Sequence, residues 1–171
     1  MYRKSTYVWG ERTNAEIEAL DITLLNAGDS VFNTDWKLPE FWTGEVWTNE
    51  HSAVGTAVKS FSKGQPIAWY PDGSGGVALN LITTSNYYQF AGIACRDVVE
   101  GGEAAVGIKG RWEVRFTSDV TRGDFYVISG TGSVSVGTAS QGCVGIALES
   151  KAIGGERDQL VWCSVNTVEK Y

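Results

Sequence analysis

A chain of 171 residues, 43% hydrophobic and 20% charged, is the size of one domain or one domain with an arm, and it has enough apolar surface for a core, which excludes wholesale disorder. Its net charge of −6 repels phosphate backbones and argues against nucleic acid as a partner, and without a Lys/Arg cluster it has no handle for a membrane surface. The 21 glycines and seven tryptophans favour strands joined by tight turns over helices, so the expectation is an all-β fold.

In chain order, residues 1–50 stand apart as an acidic, aromatic extension or arm. They hold four Lys/Arg against nine Asp/Glu, a balance of −5, while residues 51–171 hold ten against eleven, a balance of −1. The opening residues lack the apolar core of a signal peptide, and no stretch approaches the roughly 18 apolar residues of a span. The expected place of assembly is therefore the cytoplasm. Ala15-Glu16-Ile17-Glu18-Ala19-Leu20-Asp21-Ile22 alternates apolar with acidic, which predicts a half-buried strand. One or two helical turns after Asn14 is the other reading, with Thr23 and the Asn26–Asp29 turn keeping any helix short. Asp35 to Trp42 is an irregular aromatic stretch broken by Pro39, and Glu45 to Thr48 resumes an extended pattern.

From residue 51 the texture changes to short apolar runs split by glycine turns. Strands are predicted at Gly55–Phe61, Pro66–Tyr70, Val77–Leu81, Tyr88–Cys95, Ala104–Lys109, Arg111–Phe116, Asp124–Ser129, Ser133–Val136, Gly142–Glu149 and Gln159–Val165. Their spacing of about 8–12 residues is that of a sandwich or barrel. Turn chemistry is explicit at Pro71 to Gly76 and at Gly130-Thr131-Gly132.

The sharpest feature is an internal repeat. Gly92-Ile93-Ala94 leads to Gly101-Gly102-Glu103, and Gly145-Ile146-Ala147 leads to Gly154-Gly155-Glu156 at the same spacing. Upstream, Lys63-Gly64-Gln65-Pro66 corresponds to Arg122-Gly123-Asp124-Phe125. Each unit is taken as too small to bury its own apolar face, so two related β units are expected to close a shared core in a small pseudo-symmetric β-barrel or sandwich spanning 51–171. Gly92, Gly102, Gly145 and Gly155 are then structural glycines, at barrel corners or close backbone approaches.

Chemistry is hard to find. His51 is the one histidine, and no Gly-x-Ser-x-Gly elbow accompanies it. The loop Gly73-Ser74-Gly75-Gly76 lacks the Lys-Ser/Thr of a phosphate loop, and Arg122-Gly123-Asp124 is a turn leading into a strand, not an adhesion motif. Cys95, Cys143 and Cys163 sit in apolar runs, too far apart for a metal site and odd in number for a disulfide framework. No catalytic residue, metal or cofactor is assigned. The aromatic cluster Trp36, Phe41, Trp42 and Trp47 either packs over one end of the barrel or anchors a partner.

Between His51 and Val165 the chain resembles the capsid decoration, or cement, proteins of tailed phages. The residues that carry the resemblance are Val54-Gly55-Thr56-Ala57-Val58, Lys63-Gly64-Gln65-Pro66-Ile67, Phe90-Ala91-Gly92-Ile93-Ala94, Gly102-Glu103 with the strand through Gly110, Arg122-Gly123-Asp124-Phe125-Tyr126 and Val144-Gly145-Ile146-Ala147-Leu148-Glu149. The resemblance implies a β-rich body on the outside of an assembled shell, bound to the major capsid protein, often as a homotrimer, with no catalysis and no cofactor. It implies a virion protein assembled in the host cytoplasm. Residues 1–50 depart from the compact family pattern, as an added strand, an arm or a trimer-contact segment, and their own aromatic cluster makes Trp36, Phe41, Trp42 and Trp47 the candidate capsid or subunit contacts. The other binding class open to a Trp-rich β protein is a carbohydrate- or receptor-binding sandwich, and a glycan hydrolase would require an acid–base pair that no position marks out.

Overall fold

The computed structural model describes residues 8–35, 38–71, 77–86, 89–138, 144–152 and 159–166. The chain divides into two compact units, Met1–Glu50 and His51–Tyr171.

In the first unit, strands β1 (Val8–Arg12), β2 (Ser30–Asn33), β3 (Leu38–Trp42) and β4 (Trp47–Thr48) form one sheet in that order. β1 and β2 run parallel and the other pairs antiparallel. The parallel pair needs a crossover, and helix α1 (Asn14–Glu18) with a 3-10 turn at Ile22–Leu24 supplies it. The strand expected over Ala15–Ile22 is therefore not formed. Its alternation is overridden by a capping box, in which the Glu16 carboxylate accepts the Thr13 N–H at 2.7 Å and the Thr13 hydroxyl oxygen accepts the Glu16 N–H at 3.3 Å. The backbone bond first, then the Thr13 hydroxyl, holds the Glu16 carboxyl below its ordinary range. Ile17 and Leu20, three apart, then turn to one side and pack with Val31, Trp42 and Trp47.

Pro39 sits on β3 opposite Phe32 without breaking the strand. β4 accompanies only Phe41 and Trp42, so Pro39 lies where β3 has a neighbour on one side alone. Cross-strand pairing also sorts the side chains. Val31, Glu40, Trp42 and Trp47 are buried, while Phe32 and Phe41 alternate with them and are exposed.

The second unit is a tandem of two modules with the same strand plan. In the first module β5 (Ser52–Thr56), β6 (Pro66–Pro71), β7 (Val77–Leu81), β8 (Phe90–Ala94) and β9 (Glu103–Gly107) lie in the order β5-β9-β8-β6-β7. In the second, β10 (Lys109–Phe116), β11 (Phe125–Gly130), β12 (Ser133–Gly137), β13 (Gly145–Ala147) and β14 (Gln159–Asn166) follow the same succession. There it closes into a barrel through the parallel pair Phe116↔Val134 of β10 and β12. The parallel bridge Ala57↔Leu79 spans the matching gap of the first module.

The connecting turns agree bond for bond. Gly64 N–H donates to the Ala94 carbonyl at 2.9 Å, as Gly123 N–H does to Ala147 at 2.8 Å. The Ser62 N–H is held by the Gln65 side chain at 2.7 Å, as the Thr121 N–H is held by Asp124 at 2.8 Å. The fold is thus all-β and built from two related units, but the expected shared core is not how those units close. Ala57, Phe61, Ile67, Leu79, Ala94, Ala104 and Val106 form a core belonging to the first module. In the second, Phe116 meets Tyr126 edge-on at 5.7 Å, and Val114, Val134, Val161 and Cys163 are fully buried. A five-stranded sheet curled on itself supplies both walls of its own interior, so each repeat closes alone.

The modules are joined at Ile108 and lock together along β10. The Arg115 N–H donates to the Gly64 carbonyl at 2.9 Å, its Nε donates to the Lys63 carbonyl at 3.2 Å, and Lys63 pairs with Glu113 at 2.5 Å. The hairpin between β11 and β12 also reaches the first module, where Gly132 N–H donates to the Ile82 carbonyl at 2.8 Å.

Candidate interaction surfaces

The aromatic cluster separates into core and surface. Trp42 and Trp47 face each other on β3 and β4, ring centroids 5.5 Å apart and tilted by 55°, and are 7% and 4% exposed. Phe41, immediately before Trp42 on β3, projects from the other face and is 47% exposed. Trp36 lies outside the described residues, as does Gly155.

The remaining structural glycines occupy close approaches. A Cβ on Gly92 would run into the Gly107 carbonyl of β9, and one on Gly145 into the Ser164 carbonyl of β14 and the Tyr126 ring. Gly102 is less tight, with the Val99 carbonyl 3.1 Å from where a Cβ would stand. The two Gly-Ile-Ala motifs thus mark a strand whose neighbour leaves no room for a Cβ in each module.

His51 and the described cysteines lie within the fold. The His51 carbonyl accepts the Ile108 N–H at 2.8 Å, and its imidazole lies against Gly110. Cys95 and Cys163 are buried thiols outside any disulfide, and Cys143 lies outside the described residues. Burial above all, with the Glu149 charge beside it, pushes the Cys163 thiol up to about 12. A depression of about 440 Å³ in the first module is lined by Ser60, Phe61, Gln65, Leu81, Asp97 and Val98. Its polar groups hold the turns: Asp97 accepts the Lys63 N–H at 2.7 Å and Gln65 the Ser62 N–H. Among the described residues no three His, Cys, Asp or Glu side chains gather as metal ligands, and no helix is long and apolar enough to cross a membrane.

What the described surface does offer is apolar sheet faces. On the first unit Phe32 and Phe41 are joined by Val8, whose register partner is Ser30. On the second module of the body Phe125, Ile146 and Leu148 are 37%, 38% and 39% exposed. Sequence reasoning named Phe41 on the first face and missed Val8 and Phe32 beside it, and it missed the second face entirely. The signal for the second was present in the repeat itself, since Phe125 and Ile146 align with Pro66 and Ile93.

No family model and no curated protein matches the chain. Among solved structures, its fold is similar to a phage head-fiber base. The match is to the head fiber gp8.5 N base in bacteriophage phi29, at 19% identity and a TM-score of 0.53, covering 67% of this chain and 92% of that one. At that identity the likeness to the phi29 base is one of fold.

Proposed function

We propose that this chain is a structural protein of a tailed-phage virion, a decoration or cement protein that binds the outer surface of an assembled capsid and stabilises it. The observation that carries this reading is the fold likeness to a head-fiber base. The glycine-rich motifs between Val54 and Glu149 support it as well. In this reading the partner is the major capsid protein, the protein is a homotrimer on the virion exterior, and assembly takes place in the host cytoplasm. Nucleic acid, membrane, cofactor and catalysis have no part in it.

The physical logic is that of many weak contacts acting together. Two stiff modules locked along β10 hold their surfaces in fixed relation, and repeated copies on a shell add through avidity. Binding to the intact shell alone raises its stability by mass action, about 2.7 kcal/mol per site at a free concentration about 100 times Kd. Calorimetry of purified shells with and without saturating protein tests the reading. A raised shell melting temperature is expected, and identical melting with no co-sedimentation rejects it. The sugar-binding reading rested on the Trp-rich segment, and Trp42 and Trp47 lie in the core, where they cannot stack on a sugar ring.

A further inference from the structure

The two modules differ at one corresponding place. Pro66 and Ile93 are paired across β6 and β8, and at the same positions of the repeat Phe125 and Ile146 are paired across β11 and β13. Two residues beyond each isoleucine stand Cys95 and Leu148. In the first module this outer patch is closed: Pro66 is buried, and Ile93 and Cys95 are 0% and 3% exposed. In the second module Phe125, Ile146 and Leu148 are all more than one third exposed. The open patch is as apolar as the closed one and carries larger side chains.

The reason for the closure is visible. Gly107, the β9 partner of Ile93, has no room for a Cβ because the Trp112 indole of β10 lies against it. Beside it the Arg115 N–H reaches the Gly64 carbonyl, and a Cβ on Gly64 would meet Leu160 and Arg115. At Gly123, the counterpart of Gly64, a Cβ would meet nothing within 4 Å. The patch on the first module is covered by a neighbouring module, and the equivalent patch on the second is not.

We infer that the Phe125–Ile146–Leu148 face binds a second copy of this chain head to tail, the neighbour's first module occupying the place that β10 and its module occupy within one chain. The molecule itself shows what covers such a face, namely another module of the same plan. The remaining module of that plan is the first, whose strand β5 is the counterpart of β10. By the match of Ala57 with Phe116, Thr56 is the counterpart of Arg115, and Thr56 is exposed. A contact between two different surfaces propagates, so it builds a ring where the rotation closes and a filament where it does not. The inference rests on the repeat and not on shell binding, so free protein tests it.

The experiment is sedimentation velocity of the full chain over a rising concentration series. Wild type is expected to exceed the monomer mass, and Ile146→Glu and Thr56→Glu each to remain monomeric with unchanged circular dichroism. An equimolar mixture of the two variants is expected to form a dimer and stop there, because one sound interface survives. Ile22→Glu, at a residue 66% exposed in the 3-10 turn of the first unit and on neither face, serves as control and is expected to associate as wild type. Should Ile146→Glu lose its fold, Leu148→Glu replaces it. Wild type that stays monomeric throughout, patch variants that associate like wild type, or a mixture of folded variants that stays monomeric would each overturn the inference. Shell binding would stand or fall separately.

Discussion

Tyr126 and Gly145 stand opposite each other on β11 and β13, and the space a Cβ would need on Gly145 is filled by the Tyr126 ring and hydroxyl. That hydroxyl donates to the Ser164 carbonyl at 2.9 Å. The contact ties three strands of the second module together. Gly145→Ala is expected to lower stability by about 3 kcal/mol or more, since the colliding atoms include backbone. Tyr126→Phe, which removes one hydrogen bond and keeps the ring, is expected to cost about 1 kcal/mol. Thermal unfolding of the two variants beside wild type checks the order, and a harmless Gly145→Ala would contradict the close approach.

The neighbours Phe41 and Trp42 should respond in opposite ways. Trp42→Ala empties the core of the first unit and is expected to cost about 3–5 kcal/mol. Phe41→Ala trims an exposed ring and should stay within about 0.5 kcal/mol. Hydrogen exchange at the β3 amides reports on this unit by itself. Equal protection in both variants would mean that Trp42 does not hold the sheet.

Gly64 and Gly123 form a matched pair. Both adopt left-handed backbone, φ 83° and 95°, so alanine at either carries a strain of about 1–2 kcal/mol. Only at Gly64 does a Cβ also meet Leu160 and Arg115 of the other module. Gly64→Ala is therefore expected to exceed Gly123→Ala by about 1–3 kcal/mol. Denaturant midpoints of the two variants measure the difference, and equal losses would show that the modules are not closely packed there.

Cys163 gives a pH and reactivity test. Its thiol is raised from an ordinary 9.0 to about 12, by burial first and by Glu149 second. A raised folded value means the native state holds its proton longer than the unfolded chain. The stabilisation is full below pH 9.0 and is lost as pH climbs toward 12. Iodoacetamide at pH 8 should leave the Cys163 peptide unmodified in native protein and alkylate it after denaturation, as read by mass spectrometry. Rapid native labelling would refute the buried thiol.

The fold was largely legible before any coordinates, for physical reasons that name particular residues. Pro66–Tyr70 and Val77–Leu81 stood out because glycine and proline turns bound short apolar runs, and the structure has strands at Pro66–Pro71 and Val77–Leu81. The Gly-Ile-Ala motifs fell on β8 and β13 because glycine is required where a neighbouring strand's carbonyl leaves no room for a Cβ. Ala15–Ile22 misled because an alternation of small alanines with acids costs nothing when the alanines face solvent, and the Thr13–Glu16 cap decided the local structure. Ser52–Thr56 and Lys109–Phe116 were not recognised as the opening strands of the two modules, since their side chains differ even though their pairings agree.

Composition, turn residues and the repeat by themselves fixed an all-β chain made of two related units, because strand period and turn stereochemistry are local properties written in neighbouring residues. Tertiary structure alone decided that each unit closes around its own core, that Trp42 and Trp47 point inward while Phe41 points out, and that Ile93 is covered where Ile146 is open. Those outcomes depend on register and on which sheet lies over which. A one-residue slip in pairing or a neighbouring module reverses exposure without changing a single side chain.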